Sequence, residues 1–414
     1  MAEPAMTVAP YWQLTFDADG DVNPAERDRL LTEAGPRGVQ DLILFSHGWN
    51  NDRSRATALY RAFFAPIPNL APHAKLGYAG IVWPSMRFCD EPIPDFPHLT
   101  ALQDTCLDDG TRDGLLTAFP GKGATVDRLV TLLDQRPSGE AGLAEFGELV
   151  ARLVDAVPAR CATDLPGEGE PALLTESTAE MCAEFAEALQ EGDGTREFSL
   201  PNPWDGAKEL LRQATYYAMK RRAGTVGERG LGPFLGRLAS AAPGVRVHLV
   251  GHSFGGRLVS FALNGLPAGV RSVKSVTLLQ GAFSHYAFAA NGALSGRQSR
   301  VDGPVVCCHS SFDQALGTMY PLASRMAGDS EGVIGELLGV KWGAMGHDGV
   351  QSVPGTRQLS LADALRGPLP ASGCVNVDAA AVVRRGGPPS GAHSDIVHPE
   401  LARVVLAAGR IPQG

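Results

Sequence analysis

Short apolar runs recur along the chain and are separated by longer amphipathic segments. A continuous apolar run of six to eight residues, rich in β-branched side chains, is typical of a strand buried on both faces. Strands of this kind are predicted at 39–46, 78–83, 245–250, 273–280, 304–309 and 373–378, most of them interrupted by polar residues. Residues 11–16 alternate only weakly between apolar and polar, and this pattern predicts an edge strand.

The segments between these runs have the spacing of helices. We predict helices over about 54–66, 205–222, 257–263 and 399–409, each with apolar residues on one side. Strands that alternate with helices indicate a mostly parallel central sheet that is covered by helices on both faces. The predicted fold class is therefore α/β.

This alternation stops between residues 86 and 204. The segment is rich in proline, glycine and acidic residues and contains no clear strand pattern. Three amphipathic helices are predicted there from apolar positions spaced by three and four residues. These positions are Val126, Leu129, Val130 and Leu133; Leu143, Phe146, Val150, Leu153 and Val157; and Met181, Phe185 and Leu189. We interpret 86–204 as a helical cap or lid inserted into a core formed by 1–85 and 205–414.

Composition excludes several classes of protein. The net charge of −9 leaves no basic face for nucleic acid. The one basic cluster, Lys220-Arg221-Arg222, is expected at a helix C-terminus, where its positive charges would interact favourably with the helix dipole. No stretch approaches the roughly 20 apolar residues of a membrane span. Seven cysteines without C-x-x-C spacing and no visible signal peptide indicate reduced thiols and a cytoplasmic location.

The strongest chemical signal is Gly251-His252-Ser253-Phe254-Gly255. This G-x-S-x-G pattern directly follows a buried-type strand and opens a helical pattern. In that setting it predicts a nucleophile elbow, a sharp turn that exposes one serine hydroxyl. It lacks the Lys-Ser/Thr ending of a P-loop. We therefore take Ser253 as the candidate nucleophile.

A serine hydroxyl needs a base within hydrogen-bond reach and a third group that orients the base. Asp313 follows the strand at 304–309, and His393 lies in a glycine-rich loop after the strand at 373–378. Because parallel strands end at one edge of the sheet, these two residues are the candidate acid and base. Other carboxylates and histidines stay open as alternatives: Asp302, Asp329, Asp348, Asp378, His347 and His398. A metal site built from His393, Asp395 and His398 is a minor alternative.

An acyl-transfer site also needs donors for the oxyanion that forms on the carbonyl oxygen. The His47-Gly48-Trp49 turn follows the second predicted strand, so the backbone N–H of Trp49 is one candidate donor. The N–H of Phe254, the residue after the nucleophile, is the other. His47 is expected to brace this turn, and His252 to pack behind the nucleophile. Phe88, Ile93 and Phe96 are expected near the mouth of the site.

These motifs carry a resemblance to a known superfamily. His47-Gly48-Trp49-Asn50, Trp83-Pro84-Ser85 and the Gly251–Gly255 pattern together resemble the α/β-hydrolases, and within them a family of poorly characterised bacterial serine hydrolases. The resemblance covers residues 39–85 and 205–410 and implies an α/β-hydrolase fold with a Ser253–Asp313–His393 triad. The long segment after Ser85 departs from that family's pattern.

The expected activity is hydrolysis of a carboxylic ester, with a small ester or lipid-like molecule as substrate. Neither a cofactor nor a metal is required. The same residues would also serve a peptidase, an amidase or an acyltransferase, and the fold could carry a binding protein without catalysis. An effector that acts on phospholipid is a further alternative.

Overall fold

The computed structural model describes residues 6–86, 88, 107–154, 177–193, 202–315, 343–387 and 391–414. In these residues eight strands form one sheet in the order β1-β3-β2-β4-β5-β6-β8-β7, and every pairing is parallel. The strands are β1 Tyr11–Thr15, β2 Asp41–Ser46, β3 Leu76–Val82, β4 Arg246–His252, β5 Val273–Leu279, β6 Pro304–His309, β7 Arg357–Ser360 and β8 Gly373–Asp378. The predicted α/β class is confirmed, and β1 lies at an edge as expected.

Helices cover both faces of this sheet. They are α1 Pro24–Glu33, α2 Arg53–Phe64, α3 Ile67–Leu70, α4 Asp109–Ala118, α5 Gly123–Gln135, α6 Glu140–Val154, α7 Thr178–Asp193, α8 Pro203–Thr225, α9 Gly232–Ala241, α10 Phe254–Gly265, α11 Met345–Asp348, α12 Leu361–Arg366 and α13 Pro399–Ala408. A π-helical segment, Val226–Leu231, joins α8 to α9. No helix in the part of the chain that the structure describes is long and apolar enough to cross a bilayer.

The period-two geometry of the strands divides the core into two layers. Adjacent strand residues such as Cys307 and Cys308 belong to different apolar clusters on opposite faces of the sheet, as their positions in the sequence predict. β2 and β3 are buried along their whole length. Burial on both faces explains why these strands appear in the sequence as continuous apolar runs rather than as alternating ones.

The segment 86–204, which we interpreted as an insertion, contains the three predicted helices, and these correspond to α5, α6 and α7. Their described apolar side chains, including Val126, Phe146 and Phe185, belong to the same buried cluster as one face of the sheet. Val157 lies outside the described residues. The described insertion therefore shares its core with the sheet and has no separate one.

Two features of the helical layers differ from the sequence prediction. Helices α1, α3, α4, α9, α11 and α12 were not predicted, although Asn23 caps α1 with its side chain and Pro24 begins it, a common helix-start signal. In addition, the cluster Lys220-Arg221-Arg222 lies near the C-terminus of α8, with Arg222 in the last turn, but the chain continues into the π-helical segment. Lys220 and Arg222 are buried there, which the sequence interpretation did not include.

Candidate active site

Ser253 occupies the sharp turn between β4 and α10. Its backbone has φ 55° and ψ −125°, a region that non-glycine residues rarely adopt. The flanking glycines allow the turn to pack closely: a Cβ on Gly251 would lie 2.5 Å from the amide nitrogen of Gly256, and one on Gly255 would lie 2.5 Å from the carbonyl oxygen of His47. Strain of this kind persists only where the surrounding structure enforces it, and it clusters at functional sites.

Three of the predicted residues form one hydrogen-bonded chain. His393 Nε2 lies 2.9 Å from Ser253 Oγ, and His393 Nδ1 lies 2.8 Å from Asp313 Oδ2. Asp313 is fully buried, and its carboxylate oxygen accepts a hydrogen bond from His393 Nδ1–H. This bond selects the tautomer that leaves Nε2 free to accept the proton of the serine hydroxyl. The arrangement can therefore activate Ser253 as a nucleophile.

The loops that carry the acid and the base are joined by backbone contacts. The N–H of Ala392 donates to the carbonyl oxygen of Phe312 over 2.9 Å, so the residues just before His393 and Asp313 are hydrogen-bonded to each other. Ser310 Oγ donates to the carbonyl oxygen of Val383 over 2.6 Å. These bonds fix the separation of two side chains that lie 80 positions apart in the sequence.

The alternative carboxylates have other partners. Asp302 pairs with Lys274 on the surface, Asp348 pairs with His285, and Asp378 accepts from the backbone N–H of Ala380. Asp329 lies outside the described residues.

The alternative histidines are also engaged elsewhere. His347 Nδ1 lies 3.2 Å from the carbonyl oxygen of Asp313, so it contacts the backbone of the acid loop rather than its carboxylate. His398 pairs with Asp395 over 2.8 Å. In the described residues no three His, Cys, Asp or Glu side chains lie close enough together to hold a metal ion.

Residues 47–51, here the 47–51 loop, lie directly against the nucleophile. A Cβ on Gly48 would be 2.5 Å from Ser253 Cβ, so only glycine permits this approach. The carbonyl oxygen of Gly48 accepts from His47 Nδ1 over 2.8 Å and from Asn51 Nδ2 over 3.4 Å. Since a trans peptide directs its N–H opposite to its C=O, these bonds orient the N–H of Trp49. Among the described residues neither this N–H nor that of Phe254 has a hydrogen-bond partner.

His47 anchors this loop to the end of β3. Its ring stacks on Trp83 at 5.5 Å, and its Nε2 accepts from the backbone N–H of Trp83 over 3.4 Å. Trp83 Nε1 in turn donates to the carbonyl oxygen of His47 over 2.9 Å. The ring is fully enclosed, and burial lowers the pKa of His47 to about 4. His47 is therefore neutral at pH 7 and acts as a fixed donor and acceptor.

His252 has a role that sequence reasoning missed. Its Nε2–H donates to the carbonyl oxygen of His393 over 2.8 Å, so the elbow directly holds the backbone of the candidate base. Burial, with a further contribution from the nearby His393, lowers the pKa of His252 to about 3. The two rings lie 5.1 Å apart. No sequence signal links two residues 141 positions apart, and only the folded chain shows the contact.

A group of aromatic rings packs together beside Trp49 of the 47–51 loop. Trp49 contacts the edges of Tyr216 at 5.3 Å and Phe88 at 6.3 Å, and Tyr216 lies 4.7 Å from Phe254. Phe88 is fully buried in this group. Ile93 and Phe96, which were expected at the same mouth, lie outside the described residues.

The buried neutral histidines predict that acid destabilises the protein. His47 and His252 have pKa values of about 4 and about 3 in the folded chain, against an ordinary value of 6.5. Below pH 6.5 the unfolded chain binds more protons than the folded one, so the free energy of unfolding should fall by about 1.4 kcal/mol per pH unit for each histidine.

Urea denaturation at pH 7, 6 and 5 measures how steeply the free energy of unfolding depends on pH. This dependence should become shallower in His252→Gln and stay unchanged in the surface control His73→Gln; equal slopes in all three proteins would contradict the assignment.

Comparison of the chain with protein-family models, with curated proteins and with solved structures finds no match.

Proposed function

We propose that this protein is a serine hydrolase of the α/β-hydrolase type that cleaves a carboxylic ester through an acyl-enzyme. The observation that carries the proposal is the chain of hydrogen bonds from Asp313 through His393 to Ser253, with Ser253 on a strained turn between a strand and a helix. The strand order adds support. It brings the carboxyl ends of β4, β6 and β8, whose following loops carry these three residues, to one edge of the sheet.

In the proposed reaction Ser253 Oγ attacks the ester carbonyl carbon while His393 Nε2 takes the hydroxyl proton. Asp313 stabilises the resulting imidazolium and holds its orientation. The carbonyl oxygen becomes an oxyanion, which accepts hydrogen bonds from the N–H groups of Trp49 and Phe254. Collapse of this intermediate breaks the carbon–oxygen bond, and His393 returns the proton to the departing alcohol.

Deacylation repeats these steps with water as the nucleophile. His393 takes a proton from water, the resulting hydroxide adds to the acyl carbon, and the acid leaves as Ser253 recovers its proton. The chemistry needs neither a metal nor an organic cofactor. The partly exposed rings of Trp49 and Tyr216, with the buried Phe88 packed against Trp49, favour an apolar substrate group beside the oxyanion.

Labelling and turnover test this proposal together. A fluorophosphonate should form one adduct per chain, on the peptide that contains Ser253, because the probe reacts only with an activated serine. Ser253→Ala should show no adduct. We also expect hydrolysis of p-nitrophenyl esters, and a series from acetyl to palmitoyl would define the preferred acyl length.

The outcomes separate the alternatives. Labelling at Ser253 without turnover of any ester would favour an amidase, peptidase or acyltransferase, which use the same residues on a different bond or acceptor. A folded protein that neither reacts with the probe nor hydrolyses any ester would contradict the proposal and favour a non-catalytic binding protein.

A further inference from the structure

Arg222 is a buried cation that bonds to two separate segments of the chain. It is 2% exposed. Its Nη1 donates to the carbonyl oxygen of Pro84 over 2.7 Å, and its Nη2 donates to that of Ala118 over 2.7 Å. The guanidinium also lies over the ring of Phe119, 5.3 Å from the centroid. Pro84 belongs to the turn after β3, and Ala118 ends the inserted helix α4.

No carboxylate in the described residues is hydrogen-bonded to this guanidinium. Burial lowers the pKa of Arg222 to about 10, so the group is still charged at neutral pH. A buried charge without a hydrogen-bonded ion-pair partner is costly, and an apolar side chain of similar volume would be the more stable choice if packing were its only role. Asp19 attracts the guanidinium but is not hydrogen-bonded to it. The two backbone carbonyls are therefore the hydrogen bonds that distinguish arginine from an apolar residue here.

The turn at 83–86 is also the support of the 47–51 loop. Ser85 Oγ donates to the carbonyl oxygen of Asn51 over 2.8 Å and accepts from its N–H over 3.3 Å. The carbonyl oxygen of Met86 accepts from the N–H of Asn50 over 3.2 Å. Together with the bonds between Trp83 and His47, these contacts tie both ends of the loop to the turn.

We propose that Arg222 is a positioning residue that holds the 83–86 turn, and through it the 47–51 loop, against the inserted helix α4. The inference rests on the proposed function, because the N–H of Trp49 in this loop is one of the two oxyanion donors. It assigns the insertion a role in catalysis: α4 supplies one of the two carbonyls that fix the guanidinium. It also accounts for the Trp83-Pro84-Ser85 motif, whose carbonyl and hydroxyl groups connect Arg222 to the loop.

Arg222→Met, with Arg221→Met as the matched control, tests the proposal. Arg221 is the neighbouring cation on α8 and makes neither of the two carbonyl contacts. A shift of a catalytic group by about 1 Å can cost about 100-fold in rate.

We expect kcat to fall about 10- to 100-fold in Arg222→Met while KM stays within about twofold, because oxyanion donors act mainly on the transition state. Affinity for a boronic acid that mimics the tetrahedral intermediate should fall in parallel. Arg221→Met should behave as wild type.

Amide hydrogen exchange provides a readout that does not depend on activity. In Arg222→Met the peptides covering 47–51, 83–86 and 109–118 should all exchange faster, while those of β5 and β6 keep their wild-type rates. If Arg222→Met does not fold, Arg222→Lys decides the matter. Lysine keeps the charge but lacks the fork that reaches two carbonyls, so it should show the same changes at smaller magnitude.

Two results would overturn the inference. One is a loss of thermal stability with kcat and boronic-acid affinity unchanged, which would make Arg222 a purely structural residue. The other is faster exchange at 109–118 without any change at 47–51, which would show that the insertion is not coupled to the loop. Failure of wild type to hydrolyse esters would contradict the proposed function alone, since the exchange experiment would still test the coupling.

Discussion

Replacement of Ser253 by alanine is expected to abolish ester hydrolysis in a protein that remains folded. Ser253 Oγ is the only atom lost, and it is the atom that His393 contacts at 2.9 Å. Removal of the nucleophile from a triad costs about 10⁶ in kcat. Steady-state rates with the best p-nitrophenyl ester, compared at matched protein concentration, measure this effect. A variant that retains more than a thousandth of wild-type activity would contradict the assignment of Ser253 as the nucleophile.

Ser253→Gly separates the chemical role of the residue from its conformational cost. Glycine also lacks the hydroxyl, so activity should be lost as in the alanine variant. Glycine adopts positive φ values without a steric penalty, and strained backbone of this kind costs of order 1–3 kcal/mol. We therefore expect Ser253→Gly to have a higher free energy of unfolding than Ser253→Ala, by about 1 kcal/mol in urea denaturation. Equal stabilities would indicate that the turn at φ 55° carries no strain.

Asp313→Asn should produce the second largest loss, about 10⁴ in kcat, although it changes a single atom. An asparagine amide can donate to His393 Nδ1 and so favour the tautomer with the proton on Nε2, where it cannot accept from Ser253. The same change in Asp378 is the matched control, because this exposed carboxylate is the last residue of the neighbouring strand β8 and accepts a local bond from the backbone N–H of Ala380. Asp378→Asn should keep wild-type kcat.

Kinetics of the two asparagine variants also decide between the alternatives that the sequence left open. The fluorophosphonate should label Asp313→Asn slowly and Asp378→Asn at the wild-type rate. Loss of activity in Asp378→Asn with full activity in Asp313→Asn would reverse the assignment of the acid. Similar losses in both would indicate that the substitutions disturb the shared edge of β6 and β8 rather than the orientation of His393.

The strands and the main helices were predictable because their patterns follow from local geometry. A strand buried on both faces favours apolar side chains at successive positions, and β2 and β6 contain such runs at 42–45 and 304–308. The short edge strand β7 and the helix α1 were missed. β7 is mostly exposed, so no burial pattern marks it, and α1 buries only Leu30 along its length. Patterns of burial identify elements only where packing demands apolar side chains.

The basic cluster at Lys220-Arg221-Arg222 shows where such reasoning fails. In sequence it is indistinguishable from a solvated helix end. In the fold, α8 packs against α7 and α10, and Arg222 reaches carbonyls more than 100 positions away. Charge alone does not reveal burial, because the partners that make a buried cation tolerable are distant in sequence.

For this protein the sequence by itself determined the α/β class, the turn at Ser253 and the order in which Ser253, Asp313 and His393 follow their strands. These properties depend on local pattern and on the glycines at 251 and 255. Only the tertiary structure decided which carboxylate meets His393, that His252 holds the backbone of His393, and that Arg222 joins the insertion to the 83–86 turn. Each of these is a hydrogen bond between residues 80 to 141 positions apart. The distance between the donor and acceptor of each bond depends on the register and twist of the parallel sheet, which no local pattern encodes.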